Sequence, residues 1–271
     1  MSLTFGPSIF KILSVSIRCS INQHAHNTRC FSLFRRKQDI KEVSPYLIMR
    51  ANKDDFDEVL KVMHEGYFDG EPTINGLDIS PNLVMDERVR HAMSEGYTLV
   101  AKCKHNGCIV GACINESTNP WDPDLEEKLA RKIQSENMRK LLMFYAHTMR
   151  VPDLWKYLGV QKVYEMAYVF VKRPYRKKGL AYRLLDHSKA LGMDAGFPVV
   201  RCDATSVHTA RICNRLGMQK IAEIPYRTYL DQNLKPIFKP PCSHESVKIY
   251  CDCSPHYHRL KKKIVEKSKS C

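Results

Sequence analysis

No apolar run in the chain approaches the length of a helical membrane span. Two familiar phosphate loops are absent as well: there is no G-x-x-x-x-G-K-[ST] and no G-x-G-x-x-G, which excludes those two modes of nucleotide binding. No stretch rich in proline, glycine and serine divides the 271 residues, and with 44% of them hydrophobic the chain reads as one sizeable core with two appended ends. A secretory signal with a compact apolar core is also missing. The eleven cysteines form an odd, irregularly spaced set, which fits a reducing compartment.

Acidic residues are missing from residues 1–38, which carry six basic groups, and residues 248–271 carry seven basic groups against two acids. Removing these +6 and +5 contributions from the net charge of +14 leaves +3 for residues 39–247, so the basicity belongs to the ends. A nucleic-acid-binding body is not expected. Residues 1–40 read as a flexible basic extension with the composition of a mitochondrial transit peptide, Phe5, Ile9, Ile12 and Leu13 forming its apolar face. The expected compartment is mitochondrial, with an unstructured extension on a cytoplasmic protein as the alternative. At the other end, Cys251, Cys253, His256 and His258 have poor spacing for zinc, so 254–271 reads as a basic tail and no metal is expected.

Between the ends the pattern alternates strands and helices. Residues 46–49 read as a strand, and Asn52 to Asp55 supply capping groups for a helix with Phe56, Val59, Leu60 and Met63 on one face. A second helix is expected over 83–93. Runs 97–102 and 108–114 flank Asn106-Gly107, which predicts a hairpin with a two-residue turn. Residues 122–148 read as one long helix opened by Asp124, Glu126 and Glu127. A strand over 164–171, a helix over 180–195, a strand over 199–203, a helix over 206–216 and two final strands complete the order.

The segment between the 164–171 strand and the 180–195 helix, Arg176-Lys177-Lys178-Gly179-Leu180-Ala181, carries the most chemistry. The first amides of a helix lack intrahelical partners, the macrodipole adds positive charge there, and a glycine lets backbone approach a phosphate closely. A diphosphate is the ligand this turn suits. The motif resembles the [RQ]-x-x-G-x-[GA] acyl-coenzyme A loop of the GNAT superfamily of N-acetyltransferases, and Leu216-Gly217-Met218 stands where that superfamily has L-G-F. Tyr67 to Pro72, Thr205 to Arg211 and the stretch from Pro225 to Pro240 resemble the insect arylalkylamine N-acetyltransferase group, over roughly residues 46–251.

The resemblance implies a GNAT fold for residues 44–253: a mixed, mostly antiparallel α/β (α+β) sheet whose central strands splay, flanked by helices. It implies acetyl transfer from acetyl-CoA to a small-molecule primary amine, an arylalkylamine above all, in a monomer. Backbone at Arg176, Lys177, Lys178, Gly179, Leu180 and Ala181 would hold the diphosphate, with Arg173 nearby. An amide of Val169 to Val171 would meet the thioester carbonyl. Glu71 would take the proton from the ammonium, which has a pKa of about 10. Thr205, Ser206 and Thr209 are the hydroxyls offered to the leaving thiolate, since Cys213 stands where many members have a tyrosine. Gly70 and Thr73 depart from the group's acid and leucine. Tyr67, Phe68, Met143, Phe144, Tyr145, Trp155 and Tyr168 are candidates for an aromatic acceptor slot. Longer acyl-CoA donors, amino-acid or polyamine acceptors, and a non-catalytic CoA-binding regulator remain the alternatives.

Overall fold

Strands and helices alternate through a computed structural model that describes residues 44–257 apart from Asp69, Pro241, Cys242 and His256. The basic extension expected over residues 1–40, with the targeting sequence expected in it, lies outside the described residues, as do His256 and residues 258–271 of the expected tail; Ser254 of that tail is held on the domain, its amide donating to the Pro198 carbonyl at 2.9 Å.

Strand β1 (Tyr46–Arg50) runs into helix α1 (Phe56–Gly66) through a capping box: Asn52 Oδ1 accepts from the Asp55 amide at 3.1 Å and Asp55 Oδ2 from the Asn52 amide at 3.0 Å. Then come α2 (Pro72–Gly76), α3 (Leu83–Ser94), β2 (Leu99–Cys103), β3 (Ile109–Thr118), α4 (Asp122–Lys132), α5 (Glu136–Arg150) and α6 (Leu154–Leu158). The second half holds β4 (Val163–Val171), α7 (Leu180–Asp194), β5 (Val199–Ala204), α8 (Val207–Arg215), β6 (Gln219–Pro225) and β7 (Ser246–Cys253).

Two expectations change. The single helix over 122–148 is two helices, because Ile133 leaves helical geometry and Ser135 caps α5, its hydroxyl accepting from the Met138 amide at 3.4 Å. Arg150 then clamps the two helices together through Asp124 at 2.5 Å and Glu127. The β2–β3 turn is longer than two residues. The Cys103 amide donates to the Cys108 carbonyl at 2.9 Å, so Lys104 to Gly107 form the loop, and of Asn106 and Gly107 only the glycine has a positive φ, at 71°.

The strands form one sheet in the order β1-β2-β3-β4-β5-β7-β6, antiparallel throughout except for β4 with β5. One apolar cluster packs α1, α3 and α5 on one face, and another packs α7 and α8 on the opposite face. Packing on that second face is tight: a Cβ at Gly192 of α7 would lie 2.6 Å from the Tyr164 ring on β4.

Two irregularities shape the middle of the sheet. Strands β4 and β5 pair only at Tyr164 with Val200 and Glu165 with Arg201, then diverge. In the β3–β4 ladder Ile114 faces Tyr168 whereas Asn115 faces Met166, so Ala167 is an extra, bulged residue. Beyond Glu165 the β4 edge facing β5 therefore has no ladder partner and its amides are open to a ligand.

Candidate active site

The divergence of β4 and β5 opens a cleft of about 580 Å³. Its walls include Glu71, Val169, Val171, Arg176, Lys177, Gly179, Leu180, Ala181, Thr205, Ser206 and Thr209. Residues far apart in sequence thus reach one cavity. Lys178 is not on the wall: its ammonium donates to the Tyr46 hydroxyl at 3.1 Å and lies 5.3 Å over the Tyr175 ring.

The anion cradle is built from backbone. A 3-10 turn at Arg173–Tyr175 leads to Lys177 with φ 61° and Gly179 with φ 74°, and α7 starts at Leu180 with no side chain capping its first amides. Successive backbone groups with left-handed residues between them form a concave nest of N–H donors that suits a phosphate. Gly179 faces open space, since a Cβ there would meet no neighbouring atom within 4 Å. The Arg176 guanidinium points elsewhere, donating to the carbonyls of Val171 at 2.9 Å and Gly66 at 2.7 Å.

Glu71, on the wall of the same cleft, is 5% exposed and caps α2. Its Oε2 accepts from the Thr73 hydroxyl and the Ile74 amide, both at 2.6 Å, while its Oε1 is buried with no hydrogen bond among the described residues. Burial pushes this carboxyl above the ordinary carboxylate range, opposed by the bonds from Thr73 and Ile74; the Thr205 hydroxyl, outside hydrogen-bonding geometry, acts with them. The capping role and a place on the cleft wall thus coexist in one side chain. A desolvated carboxyl with a free oxygen is suited to take a proton from an ammonium.

Ser206 caps α8, its hydroxyl accepting from the Thr209 amide at 3.1 Å and lying 3.0 Å from the Thr209 hydroxyl. Cys213 is fully buried in the apolar cluster under α8 and is not on the cleft wall. Of the expected aromatic slot, Tyr67, Phe144, Tyr145 and Tyr168 reach the cleft, Tyr67 and Tyr168 meeting edge to face at 5.6 Å. Phe68, Met143 and Trp155 do not, and the Trp155 indole instead donates to the Thr118 carbonyl at 3.2 Å.

Sequence reasoning missed the charged floor. Arg88, Glu116, Glu165 and Asp203 all line the cleft. The Arg201 guanidinium holds Asp203 through two bonds of 2.7 Å, and Arg88 reaches Glu126. Burial, with Asp203 adding to it and Arg201 opposing, pushes the Glu165 carboxyl up to about 8. One signal was available: Glu165 is the single charge in the otherwise uncharged run 163–171. No group of three or more potential metal ligands occurs among the described residues.

The cradle at the start of a helix, the bulged strand and the sheet split lie together in one cleft, and residues 78–218 match the acetyltransferase (GNAT) family. The chain belongs to that family and is a GNAT-type N-acetyltransferase with the GNAT fold. It is similar to arylalkylamine N-acetyltransferase 2 from Aedes aegypti at 25% identity, covering 78% of this chain and 99% of that one with a TM-score of 0.73. A mosquito arylalkylamine N-acetyltransferase like 5b matches at 24% identity, 77% and 99% coverage and a TM-score of 0.72. A Drosophila melanogaster polyamine N-acetyltransferase that forms N-acetylagmatine matches at 24% identity, 77% and 99% coverage and a TM-score of 0.71.

Proposed function

We propose that the protein transfers acetyl from acetyl-CoA to a primary amine held among aromatic side chains, with arylalkylamines as the first substrates to test. The observation that carries this reading is the presence, in one cleft, of an uncapped helix start and a buried carboxyl with a free oxygen.

In this reading the diphosphate sits on the amides of residues 177–182 and the pantetheine arm lies between β4 and β5. The thioester carbonyl accepts from an amide on the free β4 edge between Ala167 and Val171, a donor already in place when negative charge develops on that oxygen. Glu71 takes one proton from the ammonium, and the neutral nitrogen attacks the carbonyl carbon. The C–N bond forms, the C–S bond breaks, and the thiolate takes a proton from the hydroxyl group formed by Ser206 and Thr209 or from Thr205. The attacking nitrogen, cationic once bonded to carbon, gives up its second proton to restore that hydroxyl, and Glu71 releases its own proton to solvent.

The test is a thermal-shift titration of the full chain with acetyl-CoA, followed by thiol release with an amine panel. A rise in melting temperature and amine-dependent thiol release are expected; no affinity for acetyl-CoA overturns the reading. The acid-free first 38 residues support a mitochondrial destination, which sequencing the N-terminus of the endogenous protein tests against a cytoplasmic one.

A further inference from the structure

Two glutamates face each other on the cleft wall. Glu116 on β3 and Glu165 on β4 are direct cross-strand partners, and both line the cleft. Like charges placed directly opposite one another destabilise an antiparallel pair. The bulge at Ala167 is what brings Glu165 to the acceptor side: it shifts the alternation of β4 by one, so Glu165 shares a face with Tyr168 rather than opposing it. Arg88 marks the same side, since it donates to the Tyr168 hydroxyl at 3.3 Å and acts electrostatically on both glutamates.

The groups packed around the pair leave it short of positive charge. From β5, Arg201 is engaged with Asp203 and with the carbonyls of Thr148 at 2.6 Å and Met149 at 3.2 Å. From α3, Arg88 is paired with Glu126 of α4. Asp203 adds a further negative charge to the same wall. Glu165 is 8% exposed, and its Oε2 is buried with no hydrogen bond among the described residues.

We infer that Glu116 and Glu165 form a subsite for a second cationic group of the acceptor, so that the enzyme prefers dicationic amines, an alkyl diamine or a guanidinoalkylamine. This rests on the acetyltransferase reading above. The rings of Tyr67, Tyr145 and Tyr168 cover methylenes as readily as an aryl group, and the two carboxylates distinguish a chain that ends in a charge from one that ends in a methyl. Bringing a cation to Glu165 also favours loss of the proton that burial leaves on it, so binding of a dication releases a proton below about pH 8 and strengthens as pH rises to that value.

The experiment uses the full chain saturated with CoA or acetyl-CoA. Initial rates with putrescine and agmatine are compared with butylamine and tyramine, and putrescine binding is titrated calorimetrically in buffers of different ionisation enthalpy. The expected wild-type result is a kcat/KM about tenfold or more higher for putrescine than for butylamine, carried by KM, with proton release on binding. Glu165→Gln and Glu116→Gln should each lower the putrescine-to-butylamine ratio of kcat/KM about tenfold, and Glu165→Gln should lose the proton release. Equal treatment of putrescine and butylamine by the wild type overturns the inference, as does an equal loss on both amine classes in the variants. If tyramine is acetylated and putrescine is not preferred, this inference alone falls; if acetyl-CoA does not bind, the acetyltransferase reading falls with it.

Discussion

The Arg176 guanidinium holds the Gly66 carbonyl at 2.7 Å, tying the end of α1 to the end of β4, where it also holds the Val171 carbonyl at 2.9 Å. Gly66 permits this closeness, since a Cβ there would lie 3.3 Å from the Val171 oxygen. The cation that stands out most in the sequence motif thus positions the cradle, and the ligand meets backbone. Arg176→Ala leaves two part-buried carbonyls without their charged donor, and a loss of about 1–3 kcal/mol in stability is expected. Chemical denaturation measures that loss, and acetyl-CoA affinity should weaken with it.

Gly179 adopts φ 74° with open space in front of it. Gly179→Trp places a side chain in the cradle and strains the backbone, so acetyl-CoA affinity should fall by more than about tenfold. Calorimetric titration checks this, and circular dichroism of the variant shows whether the fold is kept.

Glu71→Gln keeps an oxygen to accept from Thr73 and Ile74 but cannot take a proton. Turnover should drop by about 10²–10⁴ while acetyl-CoA binding is unchanged. In the wild type the rate should climb with pH through the Glu71 pKa, and because burial raises that pKa the acid limb lies above the usual carboxylate range. A limb at the value of an exposed carboxylate, or a variant with full turnover, removes Glu71 from the base role.

Glu165 gives a stability prediction of defined sign. Below pH 4.5 its carboxyl is protonated in both folded and unfolded chains and contributes nothing. As pH rises from 4.5 toward about 8 the unfolded chain ionises first, so the fold loses stability, and above that value the loss is constant. Glu165→Gln lacks this loss, and its denaturant midpoint should gain on the wild type between about pH 5 and pH 8 in the absence of amine.

Gly192 packs α7 onto β4 so closely that a methyl group would sit 2.6 Å from the Tyr164 ring, itself held by Tyr97 and Phe197 at 5.6 and 5.2 Å. Gly192→Ala should cost about 1–3 kcal/mol through overpacking despite its better helix propensity. A thermal melt at fixed protein concentration measures the effect.

The readable parts of this chain are the ones fixed by near neighbours. The cap at Asn52, the uncapped start of α7 after Gly179 and the cap at Ser206 depend on residues three or four apart, and each is visible as a short pattern. Where a local pattern had competition it misled: residues 122–148 keep helical periodicity across Ser135, yet the chain folds back there so that α4 and α5 pack together. Glu71 entered through its resemblance to a known group, because a single acid before a proline has no distinctive spacing.

By itself the sequence determined the alternation of elements, the phosphate-suited turn at 176–181 and the near-neutral body between basic ends. Only the tertiary structure decided that β7 enters the sheet between β5 and β6, that β4 parts from β5 after Glu165, and that a bulge at Ala167 puts Glu165, the cross-strand partner of Glu116, on the same face as Tyr168. The physical reason is range. Backbone propensity and capping act over a few residues, whereas strand partners and the ionisation of a buried acid are set by groups dozens of positions away that meet only when the core closes.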